Sequence, residues 1–205
     1  YKKQTGGRGQ FGDATITVEP FTQEQADEAE LDFTNQIAFE NKIVGGAIPR
    51  DYIPSVEEGC REAASSGILA GYPLVGVKIT LLDGSYHEVD SSQMAFEVAG
   101  SLAFREAVQK ARPVLLEPIM RVVVTVPDEY LGSVTGDLNG RRGTIVEMVQ
   151  RGDTRIITAE APLKEMFGYA TALRGMTQGR AGYAMEPCDY RPVPQSVAEE
   201  LLAGV

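Results

Sequence analysis

Between residues 14 and 18 the chain alternates: Ala14, Ile16 and Val18 are apolar, and Thr15 and Thr17 are polar. A period of two places every second side chain on one face, so this stretch reads as a half-buried strand closed by Pro20. The acidic run after it reads as an exposed loop, and a second strand is expected over 31–38. Gly45-Gly46-Ala47-Ile48-Pro49 reads as a turn. Ile53, Val56 and Cys60 then recur at helical spacing, with Gly67 as the stop. Val75, Val77, Ile79 and Leu81 return to alternation, which Asp83-Gly84 is expected to end. The longest helix follows. Asp90, with Gln93 three residues on, fits a capping box. Met94, Val98 and Leu102 form the predicted apolar face, and Pro113 marks the end.

After Pro113 the pattern restarts. Met120, Val122, Val124 and Val126 alternate, and Leu131, Val134 and Leu138 recur as in a short helix. Strands are expected over 145–149 and 155–160, then a helix carrying Met166, Ala170 and Leu173, then a strand over 183–186. The order is β-α-β-β-α-β, the split ferredoxin-like arrangement with two helices on one face of an antiparallel sheet. A short helix over 196–202 closes the chain. The expected organisation is α+β with two domains, 1–114 and 115–205.

Composition narrows the class. Of 205 residues, 43% are apolar and 23% charged, which fits a globular protein. There is no run of about 18 apolar residues of the kind that spans a membrane. The chain begins at Tyr1 inside a polar, Gly-rich pattern and reads as a piece of something longer. Cys60 and Cys188 make neither a disulfide framework nor, with the single His87, a zinc site. Two partly buried thiols fit a reducing cytoplasm. The formal net charge of −10 argues against a general nucleic-acid binder. The charge is uneven, however. The first ten residues hold Lys2, Lys3 and Arg8 and no acid, whereas 19–32 holds six acids and no base. At physiological salt the screening length is about 8 Å, so a basic tip acts independently of an acidic face.

Gly7-Arg8-Gly9-Gln10-Phe11-Gly12 spells G-x-G-x-x-G. A dinucleotide fingerprint follows a strand and opens a helix. Here the glycines precede a strand, so the segment reads as a hairpin tip that approaches a partner closely. Arg8 and Gln10 there offer donors to phosphate or base edges. The stretch 84–92 holds His87, two carboxylates and several hydroxyls. They are sequence neighbours on a turn, and a catalytic cluster usually converges from separate elements. An exposed histidine there suits stacking on unpaired bases. Arg141 and Arg142 share a turn, and Arg174, Gln178 and Arg180 lie in or after the following helix. Arginine suits bidentate phosphate contact. A solvated turn is the plain alternative for each of these loops. There is no G-x-x-x-x-G-K-[ST] in these residues.

Taken together, 3–12, 41–49, 69–73 and 84–92 resemble domain IV of elongation factor G. Residues 116–120, 136–143, 165–171 and 177–180 resemble its domain V. The resemblance implies a ribosomal-protein-like β-α-β domain with a left-handed crossover, followed by a ferredoxin-like domain. It implies that Arg8, Gly9, Gln10, His87 and Ser92 face tRNA and mRNA in the small-subunit decoding centre. It implies that Arg141, Arg142, Arg174, Gln178 and Arg180 face large-subunit RNA near the sarcin–ricin loop and the stalk base. The parent protein would be a cytoplasmic monomer whose GTP and Mg2+ lie in a separate N-terminal domain. This chain would hold no catalytic residue, cofactor or metal, and would be inactive as a GTPase alone. Recycling and ribosomal-protection paralogues share the architecture, while the Gly-Gln tip and the Ser-Tyr-His loop favour a translocase. A small independent enzyme using His87 is the third reading.

Overall fold

A computed structural model describes residues 1–203 except Thr5 and Arg8. The chain divides between Pro113 and Val114 into two units. The first opens with a two-residue pair, β1 (Lys2–Lys3) and β2 (Gln10–Phe11). Strand β3 (Asp13–Pro20) then pairs antiparallel with β5 (Val77–Ser85), and β4 (Ile37–Asn41) lies parallel on the other side of β5. The sheet order is β3-β5-β4. Between β4 and β5 runs α2 (Ile53–Ser66), and after β5 comes α3 (Gln93–Ala111).

Five expectations change here. The acidic run contains a helix, α1 (Gln23–Glu28), because Thr22 and Gln25 form a reciprocal capping box and Ala26 is buried. The second strand starts at Ile37, later than expected, because Thr34–Gln36 is a tight turn with Asn35 at φ 57°. Strand β5 runs through Asp83-Gly84 to Ser85, since Gly84 pairs with Ala14. A Cβ at Gly84 would overlap the Asp13 carbonyl and sit 2.5 Å from Ile48 Cδ1, the close backbone approach that a strand glycine often marks. The N-cap of α3 is Ser92, whose Oγ accepts from the Ala95 amide at 3.1 Å, and not Asp90. The buried face of α3 is Ala95, Phe96, Ala99, Gly100, Phe104 and Val108, whereas Met94 and Leu102 are exposed.

That face is narrow for a reason. Side chains at Gly59 and Gly100 would overlap the Glu97 and Val56 carbonyls respectively, so α2 and α3 pack backbone to backbone at these two points. The core formed against the sheet includes Ile48, Val56, Cys60, Ile79, Leu81, Phe96 and Phe104, all essentially inaccessible. Burial of each large side chain contributes roughly 1.5–3 kcal/mol.

The second unit has strands β6 (Leu116–Pro127), β7 (Thr144–Arg151), β8 (Thr154–Pro162) and β9 (Gly182–Pro192) in the order β7-β8-β6-β9, all antiparallel. Helices α4 (Leu131–Gly140) and α5 (Tyr169–Thr177) complete the β-α-β-β-α-β pattern, and α6 (Gln195–Ala203) follows. Met120, Val122, Val124 and Val126 are all buried, as their alternation predicts. They pack with Val134, Leu138, Ile157 and Leu173.

Candidate nucleic-acid interface

The start of β3 and the ends of β4 and β5 lie at one end of the first sheet, as the antiparallel and parallel registers require. Gly9, just before β2, and the 86–92 loop therefore share that end. They are latched together. The Gly9 amide donates to Asp90 Oδ1 at 3.1 Å, and the Phe11 amide donates to the Asp90 carbonyl at 2.9 Å. Ser91 Oγ donates to the Phe11 carbonyl at 2.9 Å and accepts from the His87 amide at 2.9 Å. A Cβ on Gly9 would sit 2.9 Å from Asp90 Cγ, so the latch requires glycine there.

His87 rides on this latch. Its side chain is 58% exposed, and its ring stands edge-on to Phe11 at 6.5 Å between centroids. Nδ1 accepts from the Val89 and Asp90 amides at 3.4 Å each. Nδ1 also lies 3.6 Å from Asp90 Oδ2. Among the described residues no hydroxyl or thiol hydrogen-bonds the imidazole, so no nucleophile–base pair is assembled around it. Gln10 is half-buried and accepts from Tyr1 Oη at 2.9 Å. Ser92 is half-buried, with its oxygen engaged as the cap of α3. Arg8 lies outside the described residues.

The predicted cations of the second unit fall into two places. Arg141 Nε donates to Asp137 at 2.8 Å, and an Nη donates to the Glu165 carbonyl at 2.6 Å, with the guanidinium over the Tyr169 ring. Arg142 grips the carboxylate of Glu117 with both Nη atoms. Arg174, Gln178 and Arg180 are exposed at the far end of the helical layer, where Arg180 pairs with Glu129 beside the Tyr130 ring. Helix α4 separates the two places by roughly 15 Å, its ten residues each rising about 1.5 Å. Arg174 makes no ion pair with any described residue. Among the described residues no cluster of three or more His, Cys, Asp or Glu could hold a metal, and no helix is long and apolar enough to cross a membrane.

The sequence reading did not foresee Phe11 as the buttress of His87 or Asp90 as the latch. Gly9 and Asp90 are 81 positions apart, and no local spacing signals their contact.

Two α+β units, one carrying polar loops at the end of a mixed sheet and one ferredoxin-like, define a tandem-domain α+β protein. Residues 1–112 match the family model for elongation factor G domain IV, and residues 114–201 match that for the elongation factor G C-terminus. The chain belongs to the elongation factor G family. It is 53% identical over 204 residues to elongation factor G of Fervidobacterium nodosum, covering 100% of this chain and 28% of that protein. A crystal structure from Thermus thermophilus superimposes with a TM-score of 0.84 at 44% identity, over 100% of this chain and 29% of that one. The chain thus spans less than a third of the length of these relatives.

Proposed function

We propose that this chain is the ribosome-facing part of a cytoplasmic translational GTPase that drives elongation. The loop end of the first unit enters the decoding centre of the small ribosomal subunit and accompanies the tRNA–mRNA duplex as it moves. The second unit meets large-subunit RNA near the sarcin–ricin loop and the stalk base through Arg174, Gln178 and Arg180. GTP and Mg2+ belong to the part of the protein outside this chain.

The observation that carries this reading is the latched pair of loops. A flexible tip loses entropy on ordering against RNA, and a preorganised one loses less. Here two loops from distant sequence hold Phe11 and His87 side by side, with the imidazole largely exposed. An exposed aromatic ring with hydrogen-bonding nitrogens suits base edges and unstacked bases.

The test uses the full-length protein. His87→Ala is expected to slow single-turnover translocation about tenfold, equivalent to roughly 1.4 kcal/mol of lost transition-state stabilisation. Ribosome-stimulated GTP hydrolysis stays nearly intact, because hydrolysis occurs elsewhere. Thermal stability stays within about 0.5 kcal/mol, as for most surface changes. Normal translocation by the variant would overturn the reading.

A further inference from the structure

One carboxylate serves two segments of the first unit. Asp90 Oδ1 accepts from the Gly9 amide at 3.1 Å, and Oδ2 lies 3.6 Å from His87 Nδ1. The same Nδ1 stands 3.4 Å from the Val89 and Asp90 amides. These neighbours make opposite demands. The amides call for a lone pair on Nδ1, and the carboxylate calls for a proton there. A neutral imidazole keeps one acceptor nitrogen, whereas an imidazolium donates from both. Taking up a proton therefore draws the ring from the amides towards Oδ2, closing 3.6 Å to the about 2.8 Å of a charge-assisted bond. Oδ1 and Oδ2 belong to one rigid group, so the movement is felt at Gly9. There is little slack on that side, because a Cβ on Gly9 would lie 2.9 Å from Asp90 Cγ.

The segments do not need this charge to stay joined. The Phe11 amide donates to the Asp90 carbonyl, and Ser91 Oγ bridges the Phe11 carbonyl and the His87 amide. Ser91 is 4% exposed, so this neutral half of the latch is shielded from water. An asparagine at position 90 would accept from Gly9 as an aspartate does. At an end that approaches a polyanion, a carboxylate adds repulsion. The negative charge of Asp90 thus has no purpose in joining the segments, and the ring beside it supplies one.

The surroundings leave Asp90 as the ring's charged partner. Strand β2, whose Phe11 packs on the imidazole, is uncharged, and so is the first turn of α3. Strand β1 carries Lys2 and Lys3. Asp13 accepts from Ser85 Oγ at 2.9 Å, and Asp83 accepts from the Gly84 amide at 2.8 Å. Glu88 is on the same loop as the ring, and the Tyr1 amine donates to the Gly12 carbonyl at 2.6 Å. Among the described residues only Asp90 forms an ion pair with His87.

We propose that Asp90 is a positioning residue: its carboxylate fixes the Gly9 segment and transmits the protonation of His87 to it. Its service in translocation rests on the reading that this end of the unit accompanies the tRNA–mRNA duplex.

The sequence has a single histidine, so its ring nitrogens are identified without ambiguity in a 15N-labelled sample of the 205-residue chain. Between pH 5 and 8, where imidazoles titrate, the Gly9 amide resonance is expected to move with the same midpoint as the His87 ring. In Asp90→Asn the ring should still titrate and the Gly9 amide should no longer follow it. His87→Gln removes the ring and keeps the Tyr1 amine, so the Gly9 response should vanish there too. Asp90→Ala should speed solvent exchange of the Gly9 amide about tenfold, and Asp90→Asn should not, because its oxygen still accepts. A Gly9 amide that ignores the ring in the unmodified chain, or still follows it in Asp90→Asn, overturns the proposal. In the full-length protein, Asp90→Ala should slow single-turnover translocation about tenfold, and Asp90→Asn should recover most of the rate. Slowing by His87→Ala but not by Asp90→Ala overturns the positioning role and leaves the functional reading standing. No slowing by either overturns both.

Discussion

Arg141 and Arg142 are neighbours in sequence, and both look like free cations on a turn, yet the fold engages them differently. Arg141 ties the end of α4 to the segment before α5. Arg142, held at φ 59°, faces Glu117, whose side chain is only 11% exposed. Breaking a buried pair from one side leaves an uncompensated charge, which costs about 3–5 kcal/mol when both partners are fully buried. The Arg142 side chain is 32% exposed, so solvent screens part of that cost. Arg142→Met is therefore expected to destabilise the second unit by about 2 kcal/mol in urea unfolding. Adding Glu117→Leu should restore most of the loss, because an apolar pair replaces an ion pair nearly neutrally. A loss below about 0.5 kcal/mol, typical of surface positions, would show that Arg142 is free to meet RNA after all.

Among the elements, α2 and α3 show what a hydrophobic pattern reveals and what it conceals. The existence and C-terminal ends of both helices were legible: Gly67 terminates α2 at φ 74°, and α3 stops two residues before Pro113. The face of α3 was not. Its large apolar residues Met94 and Leu102 point outward, and its buried stripe includes Ala95, Ala99 and Gly100, whose value is smallness. Contact at the backbone selects for absent side chains, which a search for large hydrophobes overlooks. The latch is hidden for a related reason. Asp90 looks like a helix cap by spacing, and only tertiary placement redirects its carboxylate to Gly9. Gly59→Ala tests the helix contact directly. A Cβ there overlaps the Glu97 carbonyl, and overpacking of this kind typically costs about 1–3 kcal/mol. Cys60, one residue on, is a built-in reporter. Its thiol is buried, and burial pushes its pKa up to about 12, so it reacts with thiol reagents only when the unit opens. Gly59→Ala should speed Cys60 labelling about thirtyfold for a loss of roughly 2 kcal/mol, each 1.4 kcal/mol being tenfold. Unchanged labelling would mean that the helices shift apart without cost.

At the scale of the whole molecule, each unit carries a core made of its own residues. The cluster built on Val56, Ile79 and Phe96 draws only on the first unit, and the one built on Val122, Leu138 and Ile157 only on the second. In the second unit every strand but the edge strands β7 and β9 is paired on both sides. The ladder connecting β6 and β8 runs without interruption from Pro127–Thr154 to Ile119–Pro162. A core of this kind satisfies the requirement for independent folding, which is that apolar burial offset chain entropy without help from elsewhere. Residues 114–203 expressed alone are therefore expected to fold. The sign would be well-dispersed amide resonances and a single cooperative urea transition with a slope of about 1 kcal/mol per M, as small domains show. Gly59→Ala, introduced in the full 205-residue chain, should then leave that transition where it is, because distant sites without shared partners act additively to within about 0.5 kcal/mol. A collapsed amide spectrum for 114–203 would mean that its core is incomplete. A shift of its transition by Gly59→Ala would mean that the two units unfold as one.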